Sequence, residues 1–286
     1  MRFGKTRKVK VRRLKHVAML PTLVTLGNII CGFAAVVLGA RSMVEYQLKL
    51  AVDASFHFEV AAWMIILGMV FDALDGRVAR MTGTASKFGA ELDSLCDVVT
   101  FGLAPAFLAY VTINIGGHII PGKVSAAICA VFMVCAALRL ARFNVETTLD
   151  EEAHMSFRGL PSPAAAGVVA SLVLLRSSLD GTAFSRYLLM ALPFVVLATG
   201  ISMISHIRYT HLVNKLVRGH HRFARLAEVV LVAVMVAIDK ELALALAFCG
   251  YALSGPVMWL FRKPPSPTAA APSLIPGASP PEERRA

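Results

Sequence analysis

Between residues 19 and 261 the sequence alternates long apolar runs with short polar breaks, and this alternation restricts the fold more than any other feature. An apolar stretch of about 18 or more residues with few charges is long enough to cross a hydrocarbon core of roughly 30 Å. Where no water is available to backbone groups, such a stretch must satisfy them internally, as a helix does. Candidate spans fall at 19–41, 58–78, 90–111, 123–143, 161–176, 186–205, 226–238 and 241–261, the fifth and seventh being short. The expected fold is an all-α polytopic membrane bundle of about eight transmembrane helices, within a range of six to eight. The chain is 57% hydrophobic and 16% charged over 286 residues, which excludes an ordinary soluble domain.

Charge placement sets the expected orientation. With the N-terminus in the cytoplasm, only Arg41, Lys49, Lys123, Arg176, Arg186 and Lys240 fall on the far side, six of 29 basic residues. That asymmetry satisfies the positive-inside rule and puts both termini in the cytoplasm. Basic segments lying against an anionic leaflet account for the net charge of +11, so no nucleic-acid partner is expected. Cys31, Cys96, Cys129, Cys135 and Cys249 all sit in apolar runs without a CxxC pair, and read as small buried hydrophobes. The first apolar run is too long for a signal-peptide core and no clear cleavage site follows, so it reads as an uncleaved span.

The expected organisation is a basic cytoplasmic arm at 1–18, a membrane domain at 19–261 and a disordered Pro/Ala-rich tail at 262–286. Residues 206–225 are expected to form a basic amphipathic helix at the interface. Their four histidines, mixed with Lys and Arg, read as a headgroup-facing surface and not as metal ligands.

One stretch breaks the apolar pattern. Residues 71–102, FDALDGRVARMTGTASKFGAELDSLCDVVTFG, place four aspartates between two oily segments. Asp72 and Asp75 are three residues apart and Asp93 and Asp97 four apart, so on helices each pair shares a face. MTGTASK between them reads as a turn, with Thr84 or Ser86 capping the next helix. Antiparallel helices joined there bring four carboxylates together, and carboxylates so placed need cations. Hard oxygen ligands favour Mg²⁺ or Mn²⁺ over zinc.

Divalent ions held this way are usually shared with substrate phosphates, and paired ions stabilise phosphoryl displacement. Gly76 and Gly89, costly within helices, leave room for a guest such as a nucleotide. Arg80 is placed to hold its phosphate, Lys87 less well. Two other readings fit the same acids: an ion or proton pathway, and structural pairing with Arg77 and Arg80, which leaves the acids in excess.

The stretch also resembles the signature of the CDP-alcohol phosphotransferase family, D-x-x-D-G-x-x-A-R followed by G-x-x-x-D-x-x-x-D. It matches at Asp72, Asp75, Gly76, Ala79, Arg80, Gly89, Asp93 and Asp97, with no departure. The resemblance implies that Asp72, Asp75 and Asp93 hold two metal ions, with Asp97 helping at the second. It implies further that Asp72, Gly76, Ala79, Arg80 and Gly89 face the CDP group, and that Asp97 is the general base on the incoming alcohol.

Three softer stretches, LPTLVTLGNIICGF, LRLARFNV with FRGLPSPAAAG, and ISMISHIRY, resemble the serine-using members of that family. They imply CDP-diacylglycerol and L-serine as substrates, with phosphatidylserine and CMP as products, Asn28 near the nucleotide and a homodimer in the bacterial inner membrane. Serine's carboxylate calls for a cation. Arg142 is the first choice, followed by Arg139 and Arg158, with Asn144 as a helper, although arginines at cytoplasmic helix ends commonly serve as topology anchors. The alternatives are another acceptor (glycerol 3-phosphate, inositol phosphate or choline) and an ion-coupled transporter.

Overall fold

A computed structural model describes residues 19–82, 87–115, 120–149, 159–207, 209 and 239–261. Among them there are only helices: α1 (Met19–Gln47), α2 (Ala51–Thr82), α3 (Lys87–Asp97), α4 (Ala104–Ile115), α5 (Gly122–Leu149), α6 (Ser162–Ser178), α7 (Ala183–Ile204) and α8 (Lys240–Phe261). A π-helical turn, Val98–Leu103, joins α3 to α4 in one rod. Six rods are long and apolar enough to cross a membrane, and α6 is a shorter apolar helix. The described residues are therefore all-helical, and the chain is a multi-span membrane protein. The expected span at 226–238, the 1–18 arm, the 262–286 tail, the turn residues 83–86 and most of the 206–225 segment lie outside the described residues.

The bundle is organised around α4 and α6, which contribute to both halves of the core. One half packs Ala106, Phe132, Val169, Val196 and Met203 from α4, α5, α6 and α7. The other packs Ala35, Ile65, Leu108, Ala166 and Val173 from α1, α2, α4 and α6. From Ala164 to Ser171 every residue of α6 is buried. Its small residues let neighbouring helices approach closely, the usual basis of packing in lipid. An enclosed helix can be short, which explains the short fifth run in the sequence.

The 32 residues of α2 run about 48 Å at 1.5 Å each. That exceeds a hydrocarbon core of roughly 30 Å, so one end of α2 projects beyond it and carries the aspartates. At the other end of the bundle His57 Nδ1 lies 2.6 Å from Glu45 Oε2, and Ser177 Oγ donates to Glu59 Oε1 at 2.8 Å. These contacts tie α1, α2 and α6 together away from the aspartates. Lys240, at the start of α8, sits 5.4 Å from the ring of Trp63, in the first half of α2. Tyr209, just past α7, donates its hydroxyl to Ala252 O at 3.2 Å. Hence α7 finishes and α8 begins at opposite ends of the bundle.

The sequence stretches around 159 and 201–209 meet in space. Gly159 N–H donates to Ile207 O (2.9 Å) and Leu160 N–H to Ser202 O (3.0 Å), docking the entry of α6 on the exit of α7. Gly159 has φ +87°, and a Cβ there would collide with the Met203 carbonyl. We expect Gly159→Ala to cost about 1–3 kcal/mol for the positive φ alone, seen as a lowered thermal midpoint of the full-length protein in detergent. An unchanged midpoint would contradict this docking.

Candidate active site

The acidic stretch folds as the end of α2 and the beginning of α3. Asp72 and Asp75 lie one turn apart on α2, and Asp93 faces them from α3. One carboxylate oxygen from each lies within 4.8 Å of the others. Asp75 is 5% exposed and is hydrogen-bonded to the Thr25 side chain of α1 and to the Gly76 backbone. Asp75 and Asp93 also lie within hydrogen-bond reach of each other. Two carboxylates in such contact repel unless a proton or cation lies between them.

Asp75 Oδ2 and Asp93 Oδ1 are both buried without a hydrogen-bond partner. Buried acceptors are normally satisfied, so a cluster that leaves two of them empty-handed fits a divalent cation. The donors are all carboxylate oxygens, which suits Mg²⁺ or Mn²⁺. Arg77 is exposed, which weighs against its neutralising the cluster.

Asp97 stands apart from this group of three. It ends α3, is 8% exposed, and accepts a hydrogen bond at Oδ1 from Asn28 Nδ2 of α1 at 3.0 Å. It remains close enough to Asp72, Asp93 and Asp75 for their charges to act on it. Gly76 follows Asp75 on α2 and Gly89 precedes Asp93 on α3, each partly exposed. Ala79 and Arg80 belong to α2, one turn beyond Asp75 and Gly76, but their side chains and that of Lys87 lie outside the described part.

The residues assigned to the acceptor separate clearly. Arg139 of α5 donates from Nη1 to Ser162 Oγ at 3.1 Å, at the start of α6. Its Nε is buried and unpartnered, and Asp97 and Tyr251 of α8 are close enough to act on its charge. Asn144, two residues past Arg142, receives a hydrogen bond from Ser94 Oγ of α3 at 3.1 Å. Arg142 is partly exposed, and Arg158 lies outside the described residues.

Sequence reasoning missed Ser162, Tyr251 and Ser94. Ser162 lies inside a stretch already singled out, whereas nothing in the sequence marks Tyr251, which comes within electrostatic reach of Arg139 through the placement of α8. Tyr209, outside the spans, is held beside Tyr251 with ring centroids 5.8 Å apart, and burial pushes its phenol above the usual range.

Three carboxylates share a small volume at the end of the bundle, and a partly buried arginine lies within electrostatic reach of the fourth. The family model for CDP-alcohol phosphatidyltransferases matches residues 18–204. A CDP-diacylglycerol–serine O-phosphatidyltransferase of Helicobacter pylori is 36% identical over 226 residues, covering 78% of this chain and 89% of its own. One from Methanocaldococcus jannaschii is 34% identical over 203 residues, covering 71% and 79%. An archaetidylserine synthase of Methanothermobacter thermautotrophicus is 31% identical over 200 residues, covering 69% and 72%. The chain belongs to the CDP-alcohol phosphatidyltransferase family, the membrane transferases of phospholipid synthesis.

Replacing a ligand should weaken metal binding by more than the roughly 10- to 100-fold that outer partners alone control. Mn²⁺ titration of full-length Asp75→Asn and Asp93→Asn, followed by the EPR signal of free ion, is expected to show that loss. Affinity equal to the unaltered protein would remove both residues from the ligand set.

Proposed function

We propose that the protein is a CDP-diacylglycerol–serine O-phosphatidyltransferase, acting at the cytoplasmic face of the inner membrane as a homodimer. The observation that carries the chemistry is the trio Asp72, Asp75 and Asp93 with its unpartnered buried oxygens, set beside a fourth carboxylate engaged elsewhere. The names of the relatives support serine as the acceptor. The charge asymmetry of the sequence supports the cytoplasmic face.

In the proposed reaction the serine hydroxyl attacks the phosphorus bearing the diacylglycerol. A new O–P bond forms, the bond from that phosphorus to the bridging oxygen breaks, and CMP leaves with the electron pair. The hydroxyl proton passes to Asp97, since an alcohol attacks poorly while it holds that proton. Asp72, Asp75 and Asp93 would hold one or two divalent ions, with Asp97 adjoining the second. When bound, these ions offset the charge on the diphosphate and on the departing CMP. Gly76, Ala79, Arg80 and Gly89 line the nucleotide side, where small residues admit the ligand and the arginine takes a phosphate.

Among the candidate cations Arg139 is best supported as the partner of serine's carboxylate. It lies near Asp97, its Nε is unpaired, and Ser162 fixes its guanidinium. An arginine held in this way suits planar carboxylate recognition. The acyl tails of the donor can remain in the bilayer while the polar groups react at the bundle's end.

The test is CMP release from CDP-diacylglycerol by the full-length protein in nanodiscs containing Mg²⁺ or Mn²⁺. Release should require L-serine and should not be supported by glycerol 3-phosphate, inositol phosphate or choline. Release driven by another alcohol would change the acceptor, and release with none would overturn the function. Asp97→Asn is expected to lower kcat by roughly 10²- to 10⁴-fold, and a near-normal rate would remove it as base. Arg139→Gln should raise KM for serine about tenfold or more while leaving KM for CDP-diacylglycerol unchanged. The reverse pattern would place Arg139 at the nucleotide.

A further inference from the structure

The π-helical turn after Asp97 connects the proposed base to a buried network outside the metal trio. Asn28 of α1 is fully buried and engages that rod twice. Its side chain donates to Asp97 Oδ1 at 3.0 Å, and its backbone carbonyl accepts from Thr100 Oγ1 at 2.9 Å. Thr100 lies within the turn and is itself fully buried. Two glycines make room for it. A Cβ on Gly32 of α1 would come within 2.5 Å of Thr100 Oγ1 and 2.8 Å of its Cα. A Cβ on Gly68 of α2 would come within 2.5 Å of Thr100 Cγ2 and 3.1 Å of Asn28 Oδ1.

The geometry points to Asn28 and Thr100 as positioning residues for Asp97: Asn28 occupies Oδ1 and leaves Oδ2 to receive the proton of the acceptor alcohol, while Thr100 fixes Asn28. This rests on the proposed reaction, in which Asp97 is the base. Three features support it. First, Asn28 Oδ1 is buried without a partner. A purely structural residue rarely keeps so costly a group, but an amide whose NH₂ is committed to a carboxylate must turn its oxygen elsewhere. Second, the turn departs from α-helical hydrogen bonding immediately after Asp97, a common device at functional sites. It sets where Thr100 points relative to Asp97. Third, Asn28 is fully buried, whereas Gly76 and Gly89 are partly exposed.

A carboxylate held by one oxygen has its remaining lone pairs aimed in a fixed direction. Loss of such outer support, or a displacement near 1 Å, typically lowers rate by about 10- to 100-fold. Binding of the nucleotide, which uses other groups, should not change.

The experiment compares Asn28→Ala, Thr100→Val and Thr100→Ser with the unaltered full-length protein in nanodiscs. It measures kcat and KM for serine-dependent CMP release, and the Kd of CDP with Mn²⁺ by calorimetry. Asn28→Ala is expected to lower kcat roughly 10- to 100-fold with the Kd of CDP within about twofold. Thr100→Val should lower kcat in the same sense but less, and Thr100→Ser, which keeps the hydroxyl, should restore it. A weakened Kd for CDP would make Asn28 a nucleotide contact and overturn the inference, as would unchanged kcat in both Asn28→Ala and Thr100→Val. If Asn28→Ala does not fold, the valine–serine pair decides: equal kcat values overturn the inference, and serine-only rescue upholds it. Absence of serine-dependent release from the unaltered protein would instead overturn the proposed reaction, and this inference with it.

Discussion

Carboxylates at the end of an apolar bundle repel one another, and neither lipid nor packed helices can screen them as water does. The closeness of Asp72, Asp75 and Asp93 is therefore the constraint on which the rest of the structure depends. Protons could relieve the repulsion, but they would leave no reason for unpartnered oxygens on both Asp75 and Asp93. Divalent cations relieve it and use those oxygens. The helices around the trio then have a clear task. They must keep charged groups close in a place where charge is expensive.

The remaining elements divide this task. α1 supplies Thr25 against Asp75 and Asn28 against Asp97, so a single helix supports both acidic pairs. α6 packs centrally and presents Ser162 to Arg139 at the same end as the acids. The docking of Gly159 and Leu160 on the end of α7 fixes where α6 begins, and thus where Ser162 lies. The far end of the bundle is tied by Glu45, His57, Glu59 and Ser177, leaving the near end to chemistry. Asp97 lies within electrostatic reach of both Arg139 and the carboxylate trio.

Much of this was legible in the sequence because helical spacing is a local property. The three- and four-residue intervals of the aspartates fixed which of them share a face, and apolar length fixed the helical rods. What local spacing could not give was the phase of one helix against another. Arg139 and Arg142 are three residues apart on α5 and share a face, so spacing could not separate them. What spacing could not foresee is that Ser162, brought back by a chain reversal, bonds Arg139. Nor could spacing foresee the π-helical turn, whose Thr100 packs where two glycines from other helices leave room for it. The shortness of the fifth run was visible, but its cause, enclosure of α6 by protein, is tertiary.

The central claim is that the aspartate trio grips divalent ions that in turn hold a lipid-linked diphosphate. It is tested most directly by pulsed EPR on the full-length protein in nanodiscs loaded with Mn²⁺ and CDP-diacylglycerol, reading the ³¹P hyperfine coupling to the bound ion. The account predicts a direct-ligand ³¹P coupling that appears on adding the lipid nucleotide. Tightly bound Mn²⁺ with no phosphorus in its coordination sphere, while CDP-diacylglycerol is bound, would contradict it.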